Sequence, residues 1–122
     1  MAIKYSTKIQ DDVLVVTSKG FDENLEEVKQ FNMKLLEKAM TSGCSKVISD
    51  ERQLEYRIST IDTHELAEFV SQNVPFIARV AIVPDPQFMA DAKFYEDTIV
   101  NRGLRVKIFE KIEDAFEWMK EA

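Results

Sequence analysis

Residues 76–109 read FIARVAIVPDPQFMADAKFYEDTIVNRGLRVKIF, with two apolar segments of strand length on either side of one segment with helical spacing. The first apolar segment, residues 76–83, is followed by prolines at positions 84 and 86, which forbid its continuation as a strand. The helical pattern stops at Arg102-Gly103, and the alternating residues 104–109 follow. Parallel strands need such a crossover connection, so this succession indicates a parallel sheet covered by helices.

The N-terminal residues predict an antiparallel hairpin. Ile3, Tyr5 and Ile9 alternate with polar residues and indicate a strand over residues 3–9 with one solvent-exposed face. Residues 10–12 form a short polar turn, and residues 13–17 make a more apolar second strand. So short a turn favours a hairpin over two separate edge strands.

The middle of the chain predicts two helices around a short strand. The strand pattern breaks at residues 19–22, and a long amphipathic helix then runs to a stop at Ser42-Gly43. Residues 46–49 predict a buried strand that ends at residues 50–52, and a loop leads to a helix from about Asp62. The start of that helix stays ambiguous, because residues 59 and 62, and also 62 and 65, have capping-box spacing.

The complete order is ββαβαβαβα, which predicts an α/β fold in one domain over residues 1–122. The five-stranded mixed sheet is expected to have an antiparallel N-terminal hairpin and otherwise parallel strands. The last helix is expected to bury Phe116 and Met119 against the sheet, with Trp118 on its shoulder.

Length, charge and cysteine content limit the function classes. The 122 residues suffice for one core without disulfides or metal, and the apolar runs are too short to span a membrane. The N-terminus lacks a signal peptide's apolar stretch, and Cys44 is a lone cysteine, so a cytoplasmic location is expected. The net charge of −6 repels phosphate backbones and anionic lipids, and Lys and Arg are scattered along the chain. We therefore expect neither a nucleic-acid nor a membrane partner.

The element order and the closing segment carry a family resemblance. Arg105-Val106-Lys107-Ile108-Phe109 is followed by a helix with Ala115 and Trp118. This pattern resembles the STAS-like fold of bacterial anti-sigma-factor antagonists and of the cytoplasmic domains of sulfate transporters. Within that fold it is similar to the SpoIIAA-like branch of mostly uncharacterised bacterial proteins. The resemblance covers nearly the whole chain in element order and implies a protein that binds other proteins, without catalysis or a cofactor.

The same resemblance implies a position for a regulatory site. In the antagonists an Asp-Ser-Ser-Gly motif opens the second helix, and a partner kinase phosphorylates one serine. That motif falls on Ile58-Ser59-Thr60-Ile61, with Thr60 in the acceptor position. The lost Asp would supply a cap and a charge, and the lost Gly would allow a close approach of a partner. An apolar residue at each flank predicts a packed helix start. We therefore expect Ser59 or Thr60 to cap the helix, and Thr60 mainly to cap or support it rather than to accept phosphate.

Several polar residues are candidates for a ligand or partner surface. Asp50, Arg52 and Asp85 follow strands whose carboxyl ends share one edge of the sheet, where ligands usually bind in open α/β folds. The simpler interpretation is a local ion pair between Asp50 and Arg52 and an Asx turn at Asp85. His64, the only histidine, has no readable nucleophile beside it and is expected to be an exposed surface residue. One Cys and one His exclude a Cys-rich zinc site.

Aromatic residues are concentrated in the C-terminal half, at Phe88, Phe94, Tyr95, Phe109, Phe116 and Trp118. Core packing explains most of them. They also allow a pocket for a small apolar ligand or lipid, since STAS-like folds are related in architecture to lipid-binding Sec14-like domains. Phe94 and Trp118 lie off the main stripes and are candidates for a homodimer surface.

The leading hypothesis is a non-enzymatic cytoplasmic protein that acts through contact with an unidentified protein partner. One alternative is a module that binds a small apolar ligand or lipid. A second is an enzyme using Asp50, Arg52 and Asp85. A deep apolar cavity would distinguish the ligand-binding class from the others.

Overall fold

One mixed sheet organises the protein, for which a computed structural model describes residues 2–73, 77–101 and 104–121. Within these residues the strand order is β1-β2-β3-β4-β5. The strands are β1 (Ile3–Gln10), β2 (Val13–Phe21), β3 (Lys46–Glu55), β4 (Arg79–Pro84) and β5 (Val106–Ile108). The pair β1–β2 is antiparallel, and the other three neighbouring pairs are parallel. The predicted mixed sheet with an N-terminal hairpin is confirmed.

Four helices cover the sheet, three on one face and one on the other. They are α1 (Leu25–Ser42), α2 (Thr60–Asn73), α3 (Met89–Val100) and α4 (Ile112–Met119). Helices α1, α2 and α3 share a core with Leu14 and Val16 of β2, so we call this side the three-helix face. Helix α4 packs with Val13 and Val15 of the same strand on the opposite side, which we call the α4 face. In the described residues no helix is both long and apolar enough to cross a membrane.

Two strands run further than their sequence pattern predicts. Strand β2 continues through Gly20 to Phe21, and the predicted break at residues 19–22 is wrong. Gly20 has a positive φ of 102°, and a Cβ there would collide with the carbonyl oxygen of Ala2, the residue before β1. Only glycine tolerates both conditions, so this residue keeps the hairpin closed where a strand break was expected.

Strand β3 ends at Glu55 rather than Ser49, which corrects the prediction of a strand end at residues 50–52. Its pairing with β2 shifts between Thr17 and Lys19, whose partners are Asp50 and Gln53. The extra residue on β3 is a bulge, and it brings Leu54 into the core of the three-helix face. Residues 50–52 are therefore part of the strand, with β2 on one side and β4 on the other as far as Glu51.

The remaining differences are smaller. Strand β4 begins at Arg79 instead of residue 77, and β5 spans three residues instead of residues 104–109. Trp118 is buried in the core of the α4 face, and its predicted shoulder position is wrong. Met119 is buried as expected, whereas Phe116 is only partly buried. Phe76, the first residue of the apolar segment, and the predicted helix stop at Arg102-Gly103 lie outside the described residues.

Candidate functional site

The start of α2 is capped by Ser59. Its side-chain oxygen Oγ accepts a hydrogen bond from the backbone N–H of Asp62 at 3.1 Å. This is the N-cap geometry, and it resolves the ambiguous helix start in favour of the spacing of residues 59 and 62. The cap is thus Ser59, whereas Thr60 is the exposed first residue of the helix.

The two apolar residues that flank the start of α2 differ in solvent exposure. Ile58 packs against the core of the three-helix face. Ile61 is 80% exposed, so the prediction of a packed flank is wrong at this position. Residues three or four apart on a helix are neighbours on its surface, which places Ile61 and Thr60 beside the exposed His64. We call Ser59, Thr60, Ile61 and His64 the α2-start surface.

The candidates Asp50, Arg52 and Asp85 are bound locally rather than gathered with that surface. The Asp50 carboxylate accepts bonds from the Arg52 guanidinium at 2.8 and 2.7 Å, which is the expected ion pair. Burial opposes the ionisation of Asp50, but the donors of Arg52 outweigh it and lower the pKa of Asp50. Asp85 accepts from the backbone N–H of Gln87 at 3.0 Å, as expected for an Asx turn. Alternation along β3 places Asp50 on the α4 face with Ile48, away from α2.

A small acidic cavity, which the sequence patterns did not reveal, lies under the three helices. Its volume is about 80 Å³, and Asp22, Glu51, Tyr56 and Tyr95 contribute to its lining. A second cavity of about 70 Å³ shares Glu51 and Tyr95 with it. Glu51 accepts hydrogen bonds from Ser49 Oγ at 2.7 Å and from the hydroxyl of Tyr56. Glu51 thus ties the segment that leads to the α2-start surface to the sheet.

Two carboxyl groups of this cavity, those of Asp22 and Glu51, have raised pKa values. Burial raises the pKa of Asp22 to about 7, and the nearby carboxylates of Glu51 and Glu27 add to the increase. Burial also raises the pKa of Glu51, although Tyr56 and Ser49 donate hydrogen bonds to it. The pKa of Tyr56 rises for the same reasons, burial first and the charge of Glu51 second. The cluster therefore retains protons at pH values where ordinary carboxyl groups have lost them.

The two cavities under the three helices give little support to an apolar-ligand site there. Their volumes lie well below the roughly 300–1,000 Å³ of typical small-molecule sites. Of the C-terminal aromatic residues, Tyr95 lines both cavities, while the rings of Phe109 and Trp118 contact each other, with centroids 5.6 Å apart, in the core of the α4 face. Because Trp118 is buried, it cannot form the proposed homodimer surface with the exposed Phe94. Over the described ranges, no cluster of three or more His, Cys, Asp or Glu is arranged to hold a metal ion.

Comparison with known proteins identifies the fold. No family model matches the sequence, and no curated protein matches it. An anti-sigma factor antagonist from Mycobacterium paratuberculosis is similar over 98% of this chain and 95% of its own, with a TM-score of 0.63 and 11% identity. An uncharacterised DUF3478 protein with a SpoIIAA-like fold from Shewanella loihica PV-4 is similar over 96% and 93%, with a TM-score of 0.57 and 22% identity. The protein has a STAS-like fold, and at these identities the likeness concerns the fold alone.

Proposed function

We propose that this chain is a non-enzymatic cytoplasmic protein that binds another protein through the α2-start surface. The observation that carries this proposal is Ile61, a large apolar side chain that is 80% exposed on the first turn of a capped helix. Burying such a side chain in a partner is worth about 25 cal/mol for each Å² of apolar surface removed from water. The name of the similar mycobacterial protein, an anti-sigma factor antagonist, agrees with a role in protein contacts.

The surroundings of Ile61 support a preformed binding surface. Ser59 caps the start of the helix. The preceding residue, Ile58, is partly buried against the core of the three-helix face. The bond from Tyr56 to Glu51 holds the segment before them. A surface that is already ordered loses little conformational entropy on binding, which favours affinity.

Phosphorylation of this surface stays a separate question. Thr60 is exposed at a helix N-terminus, where a phosphate meets free N–H groups and a favourable dipole. Ser59 is engaged as the cap, and the chain lacks the Asp and Gly of the antagonist motif. We therefore expect both hydroxyls to remain unmodified. Phosphopeptide mapping of protein purified from its own cells decides this, and substantial phosphate at either residue contradicts it.

Recovery of the partner with matched surface variants tests the proposal. Ile61→Asp places a charge on the α2-start surface, and Met40→Asp places the same charge on the 62% exposed Met40 near the end of α1. We expect the tagged parent and Met40→Asp to recover the same partner from cell extract, and Ile61→Asp to lose it. Equal recovery by both variants, with unchanged thermal midpoints, contradicts the proposed surface.

A further inference from the structure

Part of the α4 face is left uncovered. Within the described residues, helix α4 packs mainly on β3 and β4 and reaches β2 at Val13 and Val15. On β1, residues 4, 6 and 8 are exposed. Ile3 and Tyr5 of β1 contact the opposite face, so alternation directs Lys4 and Lys8 to the α4 face. Lys19 of β2 lies directly opposite Lys4 and shares its face. We call Lys4, Lys8 and Lys19 the lysine face, and all three are exposed.

The lysine face is positively charged on a chain whose net charge is −6. In the part of the chain that the structure describes, no ion pair involves any of the three lysines. Directly opposite residues of an antiparallel pair have Cα atoms about 4.5–5.5 Å apart, and like charges at that distance destabilise the sheet. The fold thus concentrates positive charge that looks scattered along the sequence.

Strand β1 adds a second feature, because it is the edge of the sheet. Within the described residues, β2 is its hydrogen-bonded neighbour on one side, and no strand pairs with its other side. An extended segment that paired there would place alternate side chains on the α4 face, opposite Lys4 and Lys8. These two lysines are four residues apart, or about 13–14 Å, which matches residues i and i+4 of an added strand.

Charge decides which segment fits this edge. Pairing of β1 with β1 of a second copy brings lysines near lysines, which disfavours self-association. Nucleic acids and anionic membranes extend well beyond the local patch and meet the net negative charge of the chain. A short acidic segment contacts only charges within roughly the 8 Å screening length at physiological salt.

We propose that the free edge of β1 binds an acidic, extended segment of a partner protein, with carboxylates paired to Lys4 and Lys8. This site lies on the opposite face of the sheet from the cavity under α1, α2 and α3, and goes beyond the contact proposed for the α2-start surface. The hydroxyls of Ser6 and of Thr17, which lie opposite each other between the lysines, are exposed and provide further hydrogen-bond donors.

A blocked peptide of alternating Glu and Thr tests this site on the intact protein. Backbone amide NMR shifts are expected to change along residues 3–10, and binding is expected to weaken as salt rises to about 0.15 M. Lys4→Glu/Lys8→Glu is expected to bind roughly tenfold more weakly. The matched control Lys34→Glu/Lys38→Glu changes the net charge equally at exposed lysines of α1 and is expected to bind as the parent does.

A charge swap separates edge pairing from a general effect of charge. A peptide of alternating Lys and Thr is expected to bind Lys4→Glu/Lys8→Glu and to shift the same β1 amides. Equal weakening of both double variants, or shifts outside β1, overturns the proposal. Binding of oligothymidylate or phosphatidylglycerol vesicles by these lysines, without binding of the acidic peptide, overturns the proposed partner class. Thermal midpoints of both variants show that they remain folded.

Discussion

Two buried carboxyl groups show how immediate neighbours control ionisation. Burial opposes the ionisation of Glu27, but backbone N–H groups of Glu23 and Ala2 donate to it, the latter at 2.6 Å, and lower its pKa. Asp22 is also buried, and one backbone bond from Arg57 does not offset burial and the nearby carboxylates. The pKa of Asp22 therefore rises to about 7, opposite in direction to that of Glu27.

Asp22 gives a pH dependence of stability with a defined sign. Its carboxyl titrates near 3.8 in the unfolded chain and near 7 in the folded protein. Between these values the folded state binds more protons, so the free energy of unfolding falls as pH rises, by at most about 1.4 kcal/mol per pH unit. Asp22→Asn removes this contribution, and urea unfolding from pH 5 to pH 8 is expected to show a shallower decline.

The control for this prediction is Asp97→Asn, which neutralises an exposed carboxyl on α3. It is expected to keep the decline of the parent, to which Glu51 also contributes because its pKa is raised. A parent protein whose stability rises from pH 5 to pH 8, or an Asp22→Asn variant with the parent's full slope, contradicts the assignment.

The cap at the start of α2 gives a second prediction at single residues. Ser59→Ala removes the side-chain acceptor of the Asp62 N–H and is expected to cost about 1 kcal/mol of unfolding free energy. Thr60→Ala changes an exposed residue that follows the cap and is expected to be nearly neutral. Chemical denaturation measures both values. A larger cost for Thr60→Ala than for Ser59→Ala would return the cap to Thr60.

Among the elements, the short helix α4 is held at its C-terminal end by side chains from two strands. Arg79 of β4 donates to the carbonyl oxygen of Trp118 at 2.7 Å, and Lys46 of β3 donates to that of Met119 at 2.8 Å. The last carbonyls of a helix lack intrahelical donors, and cations are favourable at this end. The sheet therefore supplies positive charge at the C-terminal end of α4, which has no basic residue in its own last turn.

The burial of Trp118 leads to a prediction for this helix. Trp118→Ala empties part of the core on the α4 face and is expected to cost about 3–5 kcal/mol. Phe116→Ala is expected to cost less, because Phe116 is only partly buried. Thermal or urea unfolding of the two variants checks the order. A Phe116→Ala cost equal to or above that of Trp118→Ala contradicts these positions.

The types of the elements were largely predictable from the sequence. The mispredicted end of β3, however, prevented the acidic cavity from being predicted. Residues 50–53 are polar and resemble a loop, but pairing with β2 on one side, and with β4 as far as Glu51, keeps them extended. Once β3 is extended, strict alternation assigns Glu51 to the three-helix face and Asp50 to the α4 face. The acidic cavity was missed because a loop carries no such alternation.

At the scale of the whole molecule, the sequence predicted the order of elements and the mixed sheet, and the structure confirms both. The lysine face was not predictable, because Lys4 and Lys19 become neighbours only through the register of β1 and β2. The exposure of Ile61 was mispredicted for a related reason, since helical spacing does not show which side of α2 meets the sheet. The protein thus has two candidate contact surfaces, the α2-start surface and the free edge of β1.

Photo-crosslinking from position 61 examines the proposed partner contact most directly. A benzoylphenylalanine replaces Ile61 in one variant and Met40, also exposed, in a control, and each is irradiated in the cells from which the gene comes. We predict one discrete adduct with a single partner protein from position 61 and none from position 40. No adduct from position 61, or the same adducts from both positions, would contradict a partner site at the start of α2.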